Sequence, residues 1–69
     1  MDNINMNDEI YITVLDFETA QVFQYEVSEL DFEVPHPHEA FEDYLTKKGH
    51  NINNIEWMTH RNDEIIKDN

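Results

Sequence analysis

The spacing of apolar residues changes around Pro35 and Pro37, and this change is the feature that most constrains the fold. Before the prolines, apolar and polar side chains alternate in three short segments, a period typical of β-strands with one buried face. After them, the apolar residues Phe41, Tyr44 and Leu45 follow the i, i+3, i+4 spacing of one helix face. The sequence therefore predicts strands first and a helix second.

The three alternating segments are "EIYITVLDF", "VFQYEV" and "ELDFEV". The first two are rich in β-branched and aromatic residues and are separated by "ETAQ", so we predict a β-hairpin with its turn at these four residues. Ala20 stands in this turn at a position where Gly or Asn would more easily adopt a positive φ. The third segment predicts a short strand or extended edge that ends at Pro35.

The helix has recognisable signals at both ends. Pro37 suits the first turn, and Gly49 is a natural residue just past the last turn. After the polar stretch "HNINN", the segment "IEWMTH" alternates again and predicts a final strand.

These elements together predict an α+β fold, in which a small antiparallel β-sheet (β-hairpin, third short strand, helix, final strand) carries one amphipathic helix on one face. We expect one domain over residues 1–69, with frayed ends at 1–8 and 61–69. The predicted core consists of Ile10, Ile12, Val14, Phe23, Tyr25, Val27, Leu30, Phe32, Phe41, Tyr44, Leu45, Ile55 and Trp57.

The charge of the chain is large and uneven. It contains 16 Asp and Glu residues against 4 Lys and Arg residues, a net charge of −12. All the basic residues follow position 46, so the first 46 residues carry the whole net charge and the last 23 are neutral. Such a field attracts cationic partners and disfavours binding to nucleic acid or to an anionic membrane.

The sequence lacks the usual signatures of an enzyme. Its single Gly excludes phosphate-binding loops such as G-x-x-x-x-G-K-[ST], and no carboxyl group is set apart from the others as a general acid or base. A chain of this length has little room for a deep substrate pocket. We therefore expect a protein that is not an enzyme and needs no cofactor.

The H-x-H pair His36 and His38 provides the candidate metal ligands. On an extended backbone both rings would point the same way, and His50 or His60 would have to complete the site. No zinc-binding spacing such as H-E-x-x-H accompanies the pair, so we favour histidines of a helix N-terminus over a metal site.

The acidic residues of "ELDFEV" suggest a different kind of function. In a strand, the carboxylates of Glu29, Asp31 and Glu33 would form a row spaced by about 6.6 Å, comparable to the phosphates of a nucleic acid. An ordinary solvated face, whose charges prevent edge-to-edge aggregation, is the competing interpretation. The uneven charge favours a recognition surface. Its predicted partner-binding residues are Asp16, Glu18, Glu29, Asp31, Glu33, Glu39, Glu42 and Asp43.

In size, acidity, lack of cysteine and sheet-plus-helix layout, the chain resembles small acidic bacteriophage inhibitors of the anti-CRISPR, anti-restriction and DNA-mimic types. The stretches "LDFETAQVFQYEV" and "YLTKKGHNINNIEWM" are similar in style to segments of small phage proteins. The resemblance implies a non-catalytic inhibitor that blocks the basic nucleic-acid-binding surface of a host defence or nucleic-acid enzyme.

Two other functions remain open from the sequence: a small regulatory or adaptor protein that binds through an apolar surface, and a metal-binding module that uses the histidines. Without cysteine, a signal peptide or a long apolar segment, the chain is expected to be cytoplasmic. Its expected partner is a protein rather than a nucleic acid or a membrane, and it is expected to be a monomer or a homodimer.

Overall fold

The structure, a computed structural model, describes residues 8–62 and Ile66. In this part of the chain, three β-strands and one α-helix are joined by two short 3₁₀ helices. In chain order the elements are strand β1 (Glu9–Asp16), strand β2 (Gln21–Ser28), a first 3₁₀ helix (Glu29–Phe32), helix α1 (Pro37–Lys47), a second 3₁₀ helix (Ile52–Asn54) and strand β3 (Ile55–His60).

The sheet has the order β2-β1-β3, and both pairs of neighbouring strands are antiparallel. β1 and β2 form the predicted hairpin, which closes at the pair Asp16 and Gln21. β3 returns after the helix to the other side of β1, where Ile55 pairs with Asp16. The predicted α+β fold is therefore confirmed, and β1 is the central strand.

Helix α1 covers one face of the sheet, and the core lies between them. Ile12 and Val14 of β1 and Leu45 of α1 are fully buried. Side chains from β2, β3, α1 and the second 3₁₀ helix surround this centre: Phe23, Tyr25, Val27, Phe41, Tyr44, Ile52, Ile55 and Trp57.

The predicted third strand is wrong. Glu29–Phe32 forms a 3₁₀ helix, and the Ser28 hydroxyl accepts a hydrogen bond from the Leu30 backbone N–H at 3.3 Å. Phe32 is buried and stacks on Phe41 with ring centroids 4.2 Å apart, whereas Leu30 is 56% exposed and does not belong to the core. Ser is a good residue to begin a helical turn, and such a turn no longer places alternate residues on one face. The alternating pattern therefore predicted the wrong local structure.

Helix α1 ends as its sequence predicts. Gly49 has φ of 102°, a conformation that L-residues with a side chain rarely adopt. The Gly49 N–H donates to the Thr46 carbonyl at 2.9 Å and the His50 N–H donates to the Leu45 carbonyl at 3.1 Å, which is the Schellman pattern. This ending turns the chain so that His50 points back into the fold.

The hairpin turn lies where the sequence predicts it, between Asp16 and Gln21. Ala20 has φ of 58°, so a residue with a Cβ occupies the left-handed region at the position where Gly or Asn was expected to be easier.

Most of the predicted frayed ends, at 1–8 and 61–69, lie outside the described residues; the structure describes Asp8, Arg61, Asn62 and Ile66 of them. Within the described residues, no helix is both long enough and apolar enough to cross a membrane.

Candidate functional site

Six of the eight predicted acidic residues fall into two groups on elements that pack against each other. One group lies on or next to the first 3₁₀ helix, and the other lies on α1. The stacking of Phe32 on Phe41 packs these two elements against each other, so the neighbours of Phe32 lie alongside the first half of α1. We call this region the acidic surface; it comprises Glu29, Asp31, Glu33, Glu39, Glu42 and Asp43.

The acidic surface is not the regular row that an extended strand would give. Asp31, Glu33 and Glu39 are exposed, and no ion pair within the described residues involves them. The even spacing of about 6.6 Å applies to a strand and is lost in a 3₁₀ helix. The carboxylates are instead distributed over two packed elements.

The remaining members of the acidic surface have partners of their own. Glu29 pairs with Arg61 at 2.5 Å, and Asp43 pairs with Lys47 at 3.3 Å. Glu42 accepts a hydrogen bond from His38 at 3.1 Å. These contacts are solvent-exposed, so each contributes little to stability and is easily exchanged for a partner's cation.

Asp16 does not belong to this surface, because the fold buries it. Its side chain is 6% exposed and lies at the end of β1, on the face that α1 covers. One carboxylate oxygen accepts hydrogen bonds from the N–H groups of Glu18 and Thr19, at 2.9 and 3.2 Å, and so forms the hairpin turn. Asp16 therefore lies apart from the acidic surface, and its predicted contact with a partner stays a prediction.

The other oxygen of Asp16 begins a chain of hydrogen bonds. Asp16 Oδ2 lies 2.6 Å from Nδ1 of His50, and Nε2 of His50 lies 2.7 Å from the Tyr25 hydroxyl. The hydrogen bond from His50, more than any other contact, lowers the pKa of Asp16 below its ordinary value. An ionised carboxylate only accepts, so Nδ1 carries a proton.

The Asp16–His50–Tyr25 chain has the acid, histidine and hydroxyl order of a catalytic triad, with a phenol as the hydroxyl group. Burial, followed by the nearby Tyr44 and Asp16, raises the pKa of the Tyr25 hydroxyl. A phenol with a raised pKa is a poor nucleophile at neutral pH. The chain of hydrogen bonds instead connects the end of β1, the middle of β2 and the segment that follows α1.

Glu18, also predicted to bind a partner, lies in the hairpin turn. Its Oε2 accepts hydrogen bonds from the side-chain amides of Asn51 and Asn54, at 3.1 and 2.5 Å. The Phe17 N–H donates to the Asn54 carbonyl at 2.9 Å and reinforces the same junction. Glu18 therefore connects the hairpin turn to the second 3₁₀ helix.

The histidines are not brought together. His36 precedes α1 and is exposed, while the His38 ring lies against Trp57 with centroids 5.1 Å apart. His50 is held by Asp16 and Tyr25, and His60 contacts the Thr13 hydroxyl at 2.5 Å on the opposite face of the sheet. Among the described residues, no three His, Cys, Asp or Glu side chains are grouped so as to hold a metal ion.

Sequence reasoning missed a second surface, on the face of the sheet turned away from α1. We call it the open face. Here the apolar side chains of Leu15, Val22 and Met58 are 43%, 60% and 58% exposed. The sequence contained a signal for it, because Leu15 alternates with Val14 and therefore had to point away from the core.

Comparison of the chain with protein-family models, with curated proteins and with solved structures gave no match.

Proposed function

We propose that this chain is a non-catalytic, phage-type inhibitor that binds a host defence or nucleic-acid enzyme through the acidic surface and blocks nucleic-acid binding. The enzyme would present a basic groove that otherwise holds a phosphate backbone. The inhibitor would act in the cytoplasm of the host cell.

The observation that carries this proposal is the packing of two acidic elements against each other. Because Phe32 stacks on Phe41, the first 3₁₀ helix packs against α1, and both elements carry carboxylates. Asp31, Glu33 and Glu39 have no cation beside them among the described residues, so an incoming Lys or Arg meets them without first displacing another.

Complementary charge of this kind acts first on the rate of association. The net charge of −12 steers a basic surface toward the chain before contact, and this effect weakens as salt screens the charges. In contact, the carboxylates would occupy the positions that phosphates occupy in the enzyme's own complex. Competition with nucleic acid, rather than any reaction, would produce the inhibition.

The test compares two triple variants with the same change in net charge. The first replaces Asp31, Glu33 and Glu39 by Lys, and the second replaces Asp8, Glu9 and Glu26, at the start of β1 and on β2, by Lys. Each tagged chain is used to capture proteins from a bacterial lysate, followed by elution with salt and identification by mass spectrometry. We expect the wild type and the second variant to capture a nucleic-acid enzyme that elutes with salt, and the first variant to lose it.

Equal loss in both variants would show that net charge alone matters, and equal retention would remove the acidic surface from the interaction. Either result contradicts the proposal. Circular dichroism of both variants checks that they remain folded, as expected for changes at positions outside the core.

The open face supports a second candidate function, that of a regulatory or adaptor protein that binds a partner through apolar contacts. Its binding would resist salt, because burial of apolar surface does not depend on charge screening.

A further inference from the structure

The open face presents a contiguous apolar patch. In the sheet register, Leu15 lies directly across from Val22 on one side, and Met58 lies across from Thr13, one row further along, on the other. Phe17, just beyond β1, extends the patch and is 64% exposed. A contiguous patch of exposed apolar side chains on a protein surface often marks an interaction site.

Two shallow depressions lie on either side of Leu15, so the patch is not flat. One has a volume of about 210 Å³ and is lined by residues of β1 and β3, including Met58 and Trp57. The other has a volume of about 220 Å³ and is lined by residues of the hairpin, including Phe17 and Val22. A ridge with a depression on each side suits a partner that inserts separate apolar side chains, rather than a flat sheet.

The charge around the patch is of one sign. The charged residues on this face are Glu56, which pairs with Leu15 across the strands, and Glu9 and Glu26, which lie at the end of the hairpin far from its turn. Among the described residues, Lys47 and Lys48 belong to α1 and its end, on the other side of the sheet, and Arg61 pairs with Glu29.

The carboxylates at the far end are close to each other. The charge of Glu26, followed by the hydrogen bond that a protonated Glu9 carboxyl donates to Glu26, raises the pKa of Glu9. A cation placed there would relieve this repulsion.

We infer that the open face binds an amphipathic helix of a partner protein, with apolar residues on one side and flanking Lys or Arg residues. The inference rests on the second candidate function above and does not depend on the acidic surface. The sheet already packs one amphipathic helix, α1, on its other face, and the partner's helix would complete a layer on this one. Its apolar side chains would enter the depressions beside Leu15, and its basic residues would meet the carboxylates.

A second copy of the chain fits this face less well. Face-to-face pairing of two copies would bring the carboxylates of Glu9, Glu26 and Glu56 of both chains into one interface, with a net charge of −12 on each chain. Like charges placed together across an interface oppose association. The disposition of charge therefore favours a basic partner.

The experiment uses a synthetic peptide of about 20 residues, long enough to form a helix, with Leu on one face and Lys flanking it. It is titrated into the isotopically labelled full chain, and the binding site is mapped by NMR. We expect chemical-shift changes at Leu15, Val22 and Met58, with those of α1 unaffected. The double variant Leu15→Ser and Met58→Ser should weaken binding at least tenfold, whereas Asp31→Asn with Glu39→Asn should not.

Four results would overturn the inference. The first is that the peptide shifts only residues of α1 and the acidic surface. The second is that a scrambled peptide of the same composition binds equally well, and the third is that the double variant binds like the wild type. The fourth is that dilution of the chain without peptide shifts the same open-face residues, which would make a second copy the occupant. Loss of the salt-eluted enzyme in the capture experiment leaves this result unaffected, so failures of the two proposals can be told apart.

Discussion

Nδ1 of His50 lies 2.6 Å from Oδ2 of Asp16, and this contact joins residues that are 34 positions apart in the chain. Both side chains are almost fully buried. The contact holds the hairpin turn against the end of α1, and Tyr25 extends it to β2 through Nε2 of His50. A chain with so small a core depends on such polar connections to fix the relative positions of its elements.

Removal of the Tyr25 hydroxyl tests this network. Tyr25→Phe keeps the ring packing and leaves Nε2 of His50 without its partner, so we expect a loss of about 1 kcal/mol in the free energy of unfolding, measured in urea. Tyr44→Phe is the matched control, because no hydrogen bond to its hydroxyl is formed within the described residues. Asp16→Ala should destabilise more than Tyr25→Phe, because it also removes the acceptor for two turn amides. Equal stability of the two Tyr variants would show that the hydrogen bond between Tyr25 and His50 contributes nothing.

The lowered pKa of Asp16 predicts how stability depends on pH. Its ordinary value is 3.8, and the hydrogen bond from His50 lowers the pKa in the folded protein. The unfolded chain then binds a proton more readily than the folded one, so this contribution is fully present above the ordinary pKa and is lost as the pH falls through the folded pKa.

The measurement is the free energy of unfolding in urea from pH 6 to pH 2.5, for the wild type and for Asp16→Asn. We expect the free energy of unfolding of the wild type to exceed that of the variant at pH 6, and this difference to shrink as the pH falls. A difference between the two that is constant over this range would contradict the assignment.

The stability of the protein should fall when Gly49 is replaced by a residue with a side chain. A Cβ at this position would meet no atom within 4 Å, so a substitution acts through the backbone alone. With φ of 102°, we expect Gly49→Ala to lower stability by about 1 kcal/mol. Gly49→Asn should cost less, since Asn tolerates positive φ better than Ala. Thermal unfolding of the three proteins checks this order, and an Ala variant as stable as the wild type would be inconsistent with a strained backbone.

Ala20 offers a stabilising change. Its φ of 58° lies in the left-handed region, where Asn is more easily accommodated than Ala. We expect Ala20→Asn to raise stability by about 0.5 kcal/mol and Ala20→Val, which is β-branched, to lower it. A melting temperature that falls in the Asn variant would show that the side chain of Ala20 has a role beyond the turn.

Where the sequence predicted the fold correctly, the determining interactions are local. The hairpin, α1, the strand at Ile55–His60, the role of Gly49 and the difficulty at Ala20 all follow from neighbours a few residues apart. The charge of the two parts of the chain is likewise independent of the fold. Leu30 shows the limit, because alternation by itself does not distinguish a strand from a 3₁₀ helix that begins at Ser28.

Tertiary structure alone decided the rest. The alternation of Ile12, Val14 and Asp16 places Asp16 on the inner face of β1, but only the fold supplies its partner, because His50 returns to the end of this strand. The acidic surface depends on the stacking of Phe32 on Phe41. The open face remains exposed because α1 packs on the other face of the sheet, against Ile12 and Val14. The physical reason is that these features are contacts between residues far apart in sequence, whose energies decide burial and pKa only once the chain has folded.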